Sequence, residues 1–210
     1  MEMQIIFNNI GIDLWPFGGL ILIVVLVLLR RRKHRWPYLF FFSLFWVYAM
    51  AGLDKVFFPL QLNGQYVEVM RQAPIMSFVT LRPFPFGPYG LSAAGLTGLV
   101  DNILLTVPLG LLVNFITRLR MRQILWLSIA VGFGIEATQL VISSILRYPY
   151  RVVDINDALL NALGVLSGYG LFRGFAWLYL ALTRRFGVEQ RGLLAYIDIV
   201  ADQAAGGMIQ

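Results

Sequence analysis

Five long apolar segments divide this chain of 210 residues and limit what it can fold into. They cover about Leu14–Leu29, Tyr38–Leu60, Leu99–Thr117, Ile124–Leu146 and Ile155–Thr183. A bilayer core about 30 Å thick is crossed by roughly 20 helical residues. Only 13% of the residues are charged, whereas a soluble domain carries about 25%. We therefore predict an all-α fold, a polytopic helix bundle in a membrane with about five transmembrane helices.

Lysine and arginine are distributed unevenly among the regions outside these segments. Residues 30–35, 118–122 and 184–191 hold eleven of them, whereas the two alternate loops hold four. Because positively charged loops stay in the cytoplasm, we predict the N-terminus outside and the C-terminus inside. The basic cluster follows the first apolar segment, while a signal peptide carries its positive charge before it. The first segment is therefore predicted to be a retained anchor.

This topology divides the chain into three parts. Residues 1–36 are predicted to form a transmembrane anchor with a basic cytoplasmic loop, residues 37–183 a membrane domain, and residues 184–210 a cytoplasmic tail. The extracytoplasmic loop of the membrane domain covers residues 61–97. Within it, Ser77–Gly90 is rich in proline and phenylalanine, which indicates either an interfacial or re-entrant stretch or an ordinary aromatic-rich loop. The tail is expected to form a short surface helix or to stay disordered.

Acids and amides collect in the outer half of three predicted helices. They are Asp101 and Asn102 opening the third helix, Glu136 and Gln139 near the middle of the fourth, and Asp154, Asp157 and Asn161 opening the fifth. An ionised carboxylate inside a membrane costs at least ~2.5 kcal/mol, so Glu136 needs a partner or a proton. We expect Arg151 to be the charged partner of Asp157. The predicted outward-facing pocket consists of Glu136, Gln139, Arg151, Asp154, Asp157 and Asn161, with Asp101 and Asn102 at its rim.

Other residues in these helices are predicted to serve packing or helix termination. Gly164 and Gly168 form a small-xxx-small contact that lets two helices approach closely, and Gly110 is grouped with them. Pro108 removes one backbone hydrogen bond and is expected to kink the third helix. Asp154 and Asp157 also complement the dipole at the start of the fifth helix, which explains part of their presence.

The composition disfavours several kinds of chemistry. The chain has no cysteine, so disulfides, thiolate metal sites and cysteine nucleophiles are excluded. Its one histidine, His34, lies within a basic cluster, so a histidine base is disfavoured. The net charge of +6 comes from clusters at the ends of apolar segments and has no nucleic-acid-binding pattern. We predict no nucleic-acid partner, no metal and no cofactor.

At these polar residues the chain resembles the VanZ-like membrane proteins, over roughly residues 38–183. The resemblance lies in the blocks DNILLTVPLG (Asp101–Gly110), GIEATQL (Gly134–Leu140) and RVVDINDALLNALG (Arg151–Gly164). The matching residues are Asn102, Pro108, Gly110, Glu136, Gln139, Arg151, Asp154, Asp157, Asn161 and Gly164. Asn156 stands where the family pattern has aspartate, which weakens any proposal of a dense acidic metal site.

The resemblance implies a multi-pass protein of the bacterial plasma membrane. The founding member of the family is associated with low-level resistance to teicoplanin, a glycopeptide that binds peptidoglycan precursors and carries a fatty acyl chain. The implied partners are membrane lipids, a lipid-linked cell-wall precursor or a lipoglycopeptide.

Three functions remain open at this point. The favoured one is non-enzymatic: the protein changes how lipoglycopeptides or cell-envelope precursors meet the outer leaflet. The second is an enzyme acting on a lipid headgroup, with Glu136 or Asp157 as general acid/base and Arg151 holding an anionic group. In a variant, Asp101, Glu136 and Asp157 bind a divalent cation. The third, a small transporter with Glu136 as its ion site, is disfavoured because no internal repeat is visible.

Overall fold

A computed structural model of the chain describes residues 14–62, 64–83 and 93–206. Its α-helices are α1 (Leu14–Arg31), α2 (Trp36–Phe57), α3 (Gln65–Met70), α4 (Ala93–Leu112), α5 (Met121–Leu146), α6 (Ile155–Phe186) and α7 (Gly192–Gly206). Short 3-10 helices cover Ile75–Phe78 and Val113–Phe115, and the two-residue strands β1 (Val79–Thr80) and β2 (Val153–Asp154) pair in parallel. In this part of the chain, five helices are long and apolar enough to cross a membrane: α1, α2, α5, α6 and the span Thr97–Phe115. The predicted all-α membrane bundle is confirmed.

The helices extend beyond several of the predicted apolar segments. α4 begins at Ala93, because the alanines and glycines before Leu99 lower the hydropathy without interrupting the helix. Asp101 and Asn102 therefore lie in the third turn of α4, and the prediction that they open this helix is wrong. α6 continues to Phe186 and ends at Gly187, which has the left-handed conformation typical of a helix C-terminus.

α6 is the central helix and packs against α4 and α5. Glycines stand at the contacts, where an added Cβ would overlap the backbone of the neighbouring helix. The pairs are Gly164 with the Ile103 carbonyl, Gly168 with the Val107 carbonyl, Gly110 with the Val165 carbonyl, and Gly132 with the Ala158 carbonyl. Because both residue numbers rise together in the first two pairs, α4 and α6 run parallel. The small residues let these backbones touch directly.

Pro108 lies inside α4, where it cannot donate a backbone hydrogen bond to the Leu104 carbonyl. In the same stretch of α4, the Leu105 carbonyl accepts a hydrogen bond of 2.8 Å from the Tyr48 hydroxyl of α2. This bond connects α2 to the part of α4 that Pro108 interrupts.

A folded cap covers the end of the bundle at which Asp101 lies, called here the acidic end. α5 continues ten residues past Glu136, or about 15 Å, and residues 147–154 then return to the level of Glu136. There β2 pairs with β1, so the loop after α2 and the loop after α5 form one unit beyond the helix ends, called here the outer cap after its place in the bundle (residues 58–62, 64–83 and 147–154). Of the predicted aromatic stretch Ser77–Gly90, residues 77–80 belong to the 3-10 helix Ile75–Phe78 and to β1, and residues 81–83 follow as a loop. Residues 84–90 lie outside the described residues.

The opposite, basic end, near Arg30–Arg35, is closed by α7. Tyr196 of α7 stacks on Phe41 with ring centroids 5.7 Å apart, and Phe41 stacks on Phe115 at 4.2 Å. The Tyr196 hydroxyl also donates a hydrogen bond to the Phe115 carbonyl. The tail beyond residue 184 therefore contains a helix that is packed against the ends of α2 and α4.

Candidate functional site

Glu136 is the most deeply buried acid in the described residues, with 7% of its surface exposed. Its Oε2 accepts a hydrogen bond of 2.9 Å from the backbone N–H of Asp154. Asp154 and Asp157 lie near enough for their charges to act on Glu136. The partner that a buried carboxylate requires is therefore a backbone amide at the start of α6. We call Glu136, Asp154 and Asp157, with Asn102, the acidic cluster.

Contacts with α2 place the acidic cluster near the level at which α2 ends. Lys55, near the end of α2, forms an ion pair of 3.9 Å with Asp101. Next to it, the Val56 carbonyl accepts a hydrogen bond of 3.4 Å from Gln139 Nε2. From Met121 to Glu136, α5 rises about 22 Å, so apolar helix separates the cluster from the basic end. Glu136 is the sixteenth of the 26 residues of α5, near the middle of this helix and slightly toward the acidic end, as predicted.

Two amide side chains hold the other carboxylates of the cluster. The Asn102 side chain lies close enough to the Asp157 carboxylate to interact with it, which brings α4 next to the first turn of α6. Asp154 is the N-cap of α6, and its Oδ1 accepts hydrogen bonds from the backbone N–H and the side-chain Nδ2 of Asn156, at 2.8 and 2.7 Å. Asp154 thus has the capping role expected for an acid before a helix.

The remaining predicted pocket residues lie around this cluster in different environments. Asn161 is 1% exposed; its backbone carbonyl accepts a hydrogen bond of 2.7 Å from Thr106 Oγ1, while its Oδ1 has no partner among the described residues. Gln139 is buried against α2. Asp101 is largely exposed beside Lys55, as expected for a rim residue.

Arg151 does not reach the acidic cluster. Its guanidinium donates a hydrogen bond of 3.3 Å to the Phe58 carbonyl, and it makes no ion pair with any carboxylate in the described part of the chain. The expectation that Arg151 is the charged partner of Asp157 is wrong. Arg151 precedes β2, on the part of the returning loop that faces the end of α2, whereas Asp157 follows β2 and faces α4.

Arg151 instead lines a groove of about 260 Å³ in the outer cap. The other lining residues are Pro59, Gln61, Tyr66, Tyr148 and Tyr150; we call this the tyrosine groove. The hydroxyl oxygen of Tyr150 and Oε1 of Gln61 are buried and have no hydrogen-bond partner among the described residues. Buried polar atoms without a partner are costly. Each of these two atoms exposes less than 1 Å², so a molecule or water in the groove reaches them only after a small side-chain movement.

The electrostatics of the groove favour hydrogen-bond donation. Burial raises the pKa of the Tyr148 and Tyr150 hydroxyls, so both remain protonated at neutral pH. The Tyr148 hydroxyl donates its proton in a hydrogen bond to the Gln61 carbonyl, so this donor is not free for a ligand. Tyr150 lies within electrostatic range of both Arg151 and Glu136. The groove therefore contains a positive charge at Arg151, and the Tyr150 hydroxyl in its lining also senses the charge of the acidic cluster.

The tyrosines of this groove are not among the residues predicted from the sequence. The available signal was RYPYR (Arg147–Arg151), two tyrosines between two arginines directly after a membrane helix. Tyrosine and arginine at such a position are also typical of ordinary anchoring at the membrane interface. The sequence pattern alone therefore does not distinguish residues that line a binding groove from residues that anchor the chain at the membrane interface.

The divalent-cation variant has no support from the site geometry. In the ranges 14–62, 64–83 and 93–206, no three His, Cys, Asp or Glu side chains are grouped as a metal ion would require. Asp101, one of its three proposed ligands, contacts Lys55 instead. Asn156 supplies an amide donor to Asp154 where the family pattern has a further carboxylate.

A comparison with protein families gives one match: the family model described as VanZ/LLP1 matches residues 20–179. This range starts within α1, before the three blocks that carry the sequence resemblance, and it includes both the acidic cluster and the tyrosine groove. Searches of curated proteins and of solved structures found no significant match. Because the matched range covers well over half of the chain, the protein belongs to the VanZ/LLP1 family.

Proposed function

We propose that this protein lies in the bacterial plasma membrane and binds the polar headgroup of an envelope lipid or lipid-linked cell-wall precursor at the outer leaflet. Through this binding it changes how lipoglycopeptides of the teicoplanin type meet the cell surface. Family membership supports the connection to glycopeptide resistance. The binding step is a non-enzymatic function of the tyrosine groove.

The observation that carries this proposal is the chemistry of the tyrosine groove. A guanidinium recognises phosphate and carboxylate through charge-assisted hydrogen bonds. The Tyr150 hydroxyl and the Gln61 amide oxygen add one donor and one acceptor that no described residue uses. The groove lies beyond the ends of helices that can cross a membrane, so a headgroup is within reach there while its acyl chains stay in the bilayer.

The acidic cluster has a supporting role in this proposal. It fixes the returning loop, because Glu136 binds the amide of Asp154 and β2 continues from Arg151 toward that residue. Loss of this bond would release the loop that carries Tyr148, Tyr150 and Arg151. Glu136 and Asp154 thus position the groove, whereas Arg151 and Tyr150 contact the ligand.

The enzymatic alternative needs carboxylates and an anion-binding arginine at one place. Arg151 and Asp157 are separated in the structure. This separation argues against an enzyme in which Arg151 binds the substrate phosphate next to Asp157 as the general acid/base. Because Tyr150 lies within electrostatic range of both Arg151 and Glu136, an acid/base role for Glu136 is a testable alternative. An enzyme leaves a chemical product, so lipid analysis separates the two functions.

The experiment compares a deletion strain complemented with wild-type protein, Tyr150→Phe or Arg151→Gln at equal membrane levels. Susceptibility to teicoplanin and to a glycopeptide without an acyl chain is measured, together with the lipid composition by mass spectrometry. Tyr150→Phe removes a hydroxyl without a partner in the described structure, so the folded protein should lose no stability. We expect both variants to lose the effect on teicoplanin, with unchanged lipid composition in all strains.

Arg147→Gln is the matched control. Arg147 is an exposed arginine of the same loop that does not line the groove, so this variant has the same change of charge and should behave as wild type. Full activity of Tyr150→Phe and Arg151→Gln would contradict the proposal. A lipid product that disappears in Glu136→Gln would instead establish the enzymatic function.

The proposal also requires that the outer cap faces the outside of the cell. Because the chain has no cysteine, single introduced cysteines report their own side of the membrane. In intact cells, a membrane-impermeant maleimide should label Gln72→Cys in the outer cap and leave Val188→Cys, just after α6, unlabelled until the membrane is opened. The reverse pattern would invert the topology and remove the groove from the outer leaflet.

A further inference from the structure

A second groove lies at the basic end of the bundle, between α6 and α7, with a volume of about 200 Å³. Arginines and a tryptophan line it together with small residues: Arg173, Trp177, Arg184, Ala176, Ala181 and Ala205. Arg173, Trp177 and Arg184 follow spacings of four and seven, so they share one face of α6. This basic groove belongs neither to the acidic cluster nor to the outer cap.

The depth of Arg173 follows from the parallel packing of α4 and α6. Phe172 contacts Phe115 with ring centroids 5.4 Å apart, and Phe115 is the last residue of the span that contains α4. Arg173 therefore lies where the apolar span ends. The thirteen residues from 174 to the end of α6 extend about 20 Å further. With 32 residues α6 is longer than a bilayer core needs, and the basic groove begins at the membrane boundary.

The two arginines of the groove differ in their partners. Arg184 forms an ion pair of 2.7 Å with Asp202 of α7. Arg173 contacts only the neutral Tyr169, through a hydrogen bond of 3.2 Å to its hydroxyl and a cation–π contact at 5.9 Å. Within the described part of the chain, no carboxylate lies at ion-pair distance from Arg173. A half-buried guanidinium without a counter-charge favours binding of an anion.

We propose that the basic groove binds the headgroup of an anionic phospholipid of the leaflet at the basic end. Basic pockets between membrane helices at this level suit lipid phosphates, and Trp177, which is 66% exposed, has the interfacial position typical of tryptophan. The alanines leave space for roughly six water molecules of about 30 Å³ each, which a phosphodiester would displace. Arg173 contacts the phosphate, while the lipid stabilises the packing of α7 on α6.

The test uses the full chain purified in a neutral detergent. Its unfolding temperature is measured during titration with phosphatidylglycerol, and separately with phosphatidylcholine of the same acyl chains. We expect phosphatidylglycerol to stabilise the wild-type protein at lower concentration than phosphatidylcholine. Arg173→Gln should weaken the binding of phosphatidylglycerol about fivefold or more and leave phosphatidylcholine binding unchanged.

Arg185→Gln is the control, because Arg185 is an exposed arginine next to Arg184 that does not line the groove. It should keep the preference for phosphatidylglycerol. If Arg173→Gln does not yield folded protein, Ala181→Leu decides the question, since Ala181 lines the groove from an exposed position. The larger side chain should fill the groove and remove the preference for phosphatidylglycerol. Equal stabilisation by both lipids, or an unchanged preference in the groove variant, would overturn the proposal.

Discussion

α6 and α1 are both long and apolar enough to cross a membrane, but they differ in what surrounds them. α6 has eleven buried residues and touches the backbones of α4 and α5 through glycines. In α1 only Gly18 is buried, and it faces the end of the Met50 side chain. Apolar length is thus enough for a helix to enter the membrane, whereas its place in the bundle depends on small residues at the contacts.

The largest expected effect is at the contact between α4 and α6. In Gly168→Val, the new carbon atoms would overlap the Val107 carbonyl, which is part of a helix and cannot move aside. Overpacking of this kind costs about 1–3 kcal/mol or more, so we expect little folded protein in detergent extracts. Gly170→Val is the matched control, since nothing lies within 4 Å of a Cβ at Gly170. Equal yields of the two variants would mean that α4 and α6 are not in direct contact.

A smaller effect is expected from the hydrogen bond across the same contact. Thr106→Val keeps the shape of the side chain and removes the bond of 2.7 Å to the Asn161 carbonyl. Side-chain hydrogen bonds between membrane helices are worth about 0.6 kcal/mol on average. Unfolding in sodium dodecyl sulfate should therefore show a loss of this size. A loss as large as that of Gly168→Val would show that the bond, rather than close backbone packing, holds the two helices together.

The smallest effect is expected in α1. In Gly18→Ala, the nearest atoms to the added methyl group are Cε, Sδ and Cγ of Met50, and this flexible side chain can change rotamer. Alanine also favours the helix by up to about 1 kcal/mol relative to glycine. The free energy of unfolding should therefore change by less than about 0.5 kcal/mol in detergent. A severe loss would show that α1 is held as tightly as α6.

The predicted parts of the candidate site are those that depend on short stretches of sequence. Asp154 and Asp157 were placed at the start of α6 because acids before an apolar helix are typical of its N-terminus, and Asp154 is its N-cap. Whether Arg151 pairs with Asp157 could not be predicted from such a short stretch of sequence. It depends on the path of the loop after α5, and that path is decided by β2 pairing with residues 74 positions earlier in the chain.

The tyrosine groove could not be predicted from the sequence either, because its lining residues come from distant segments of the chain. Gln61 and Tyr148 are 87 residues apart and meet through a hydrogen bond in the outer cap. Each of these residues taken alone is an ordinary polar or aromatic residue near a membrane boundary. Their separation in the chain prevents any local pattern from indicating that two of the polar atoms remain without partners.

The sequence by itself determined the fold class, the five membrane-spanning helices and the family, because hydropathy over about 20 residues and short motifs are local properties. The tertiary structure alone decided the burial of Glu136, the separation of Arg151 from the acidic cluster and the two grooves. These features arise where α6 packs against α5 and α7 and where the loop after α2 folds against residues 147–154. Side chains there are positioned by long-range packing and by the need to pair buried polar groups, which no single segment specifies.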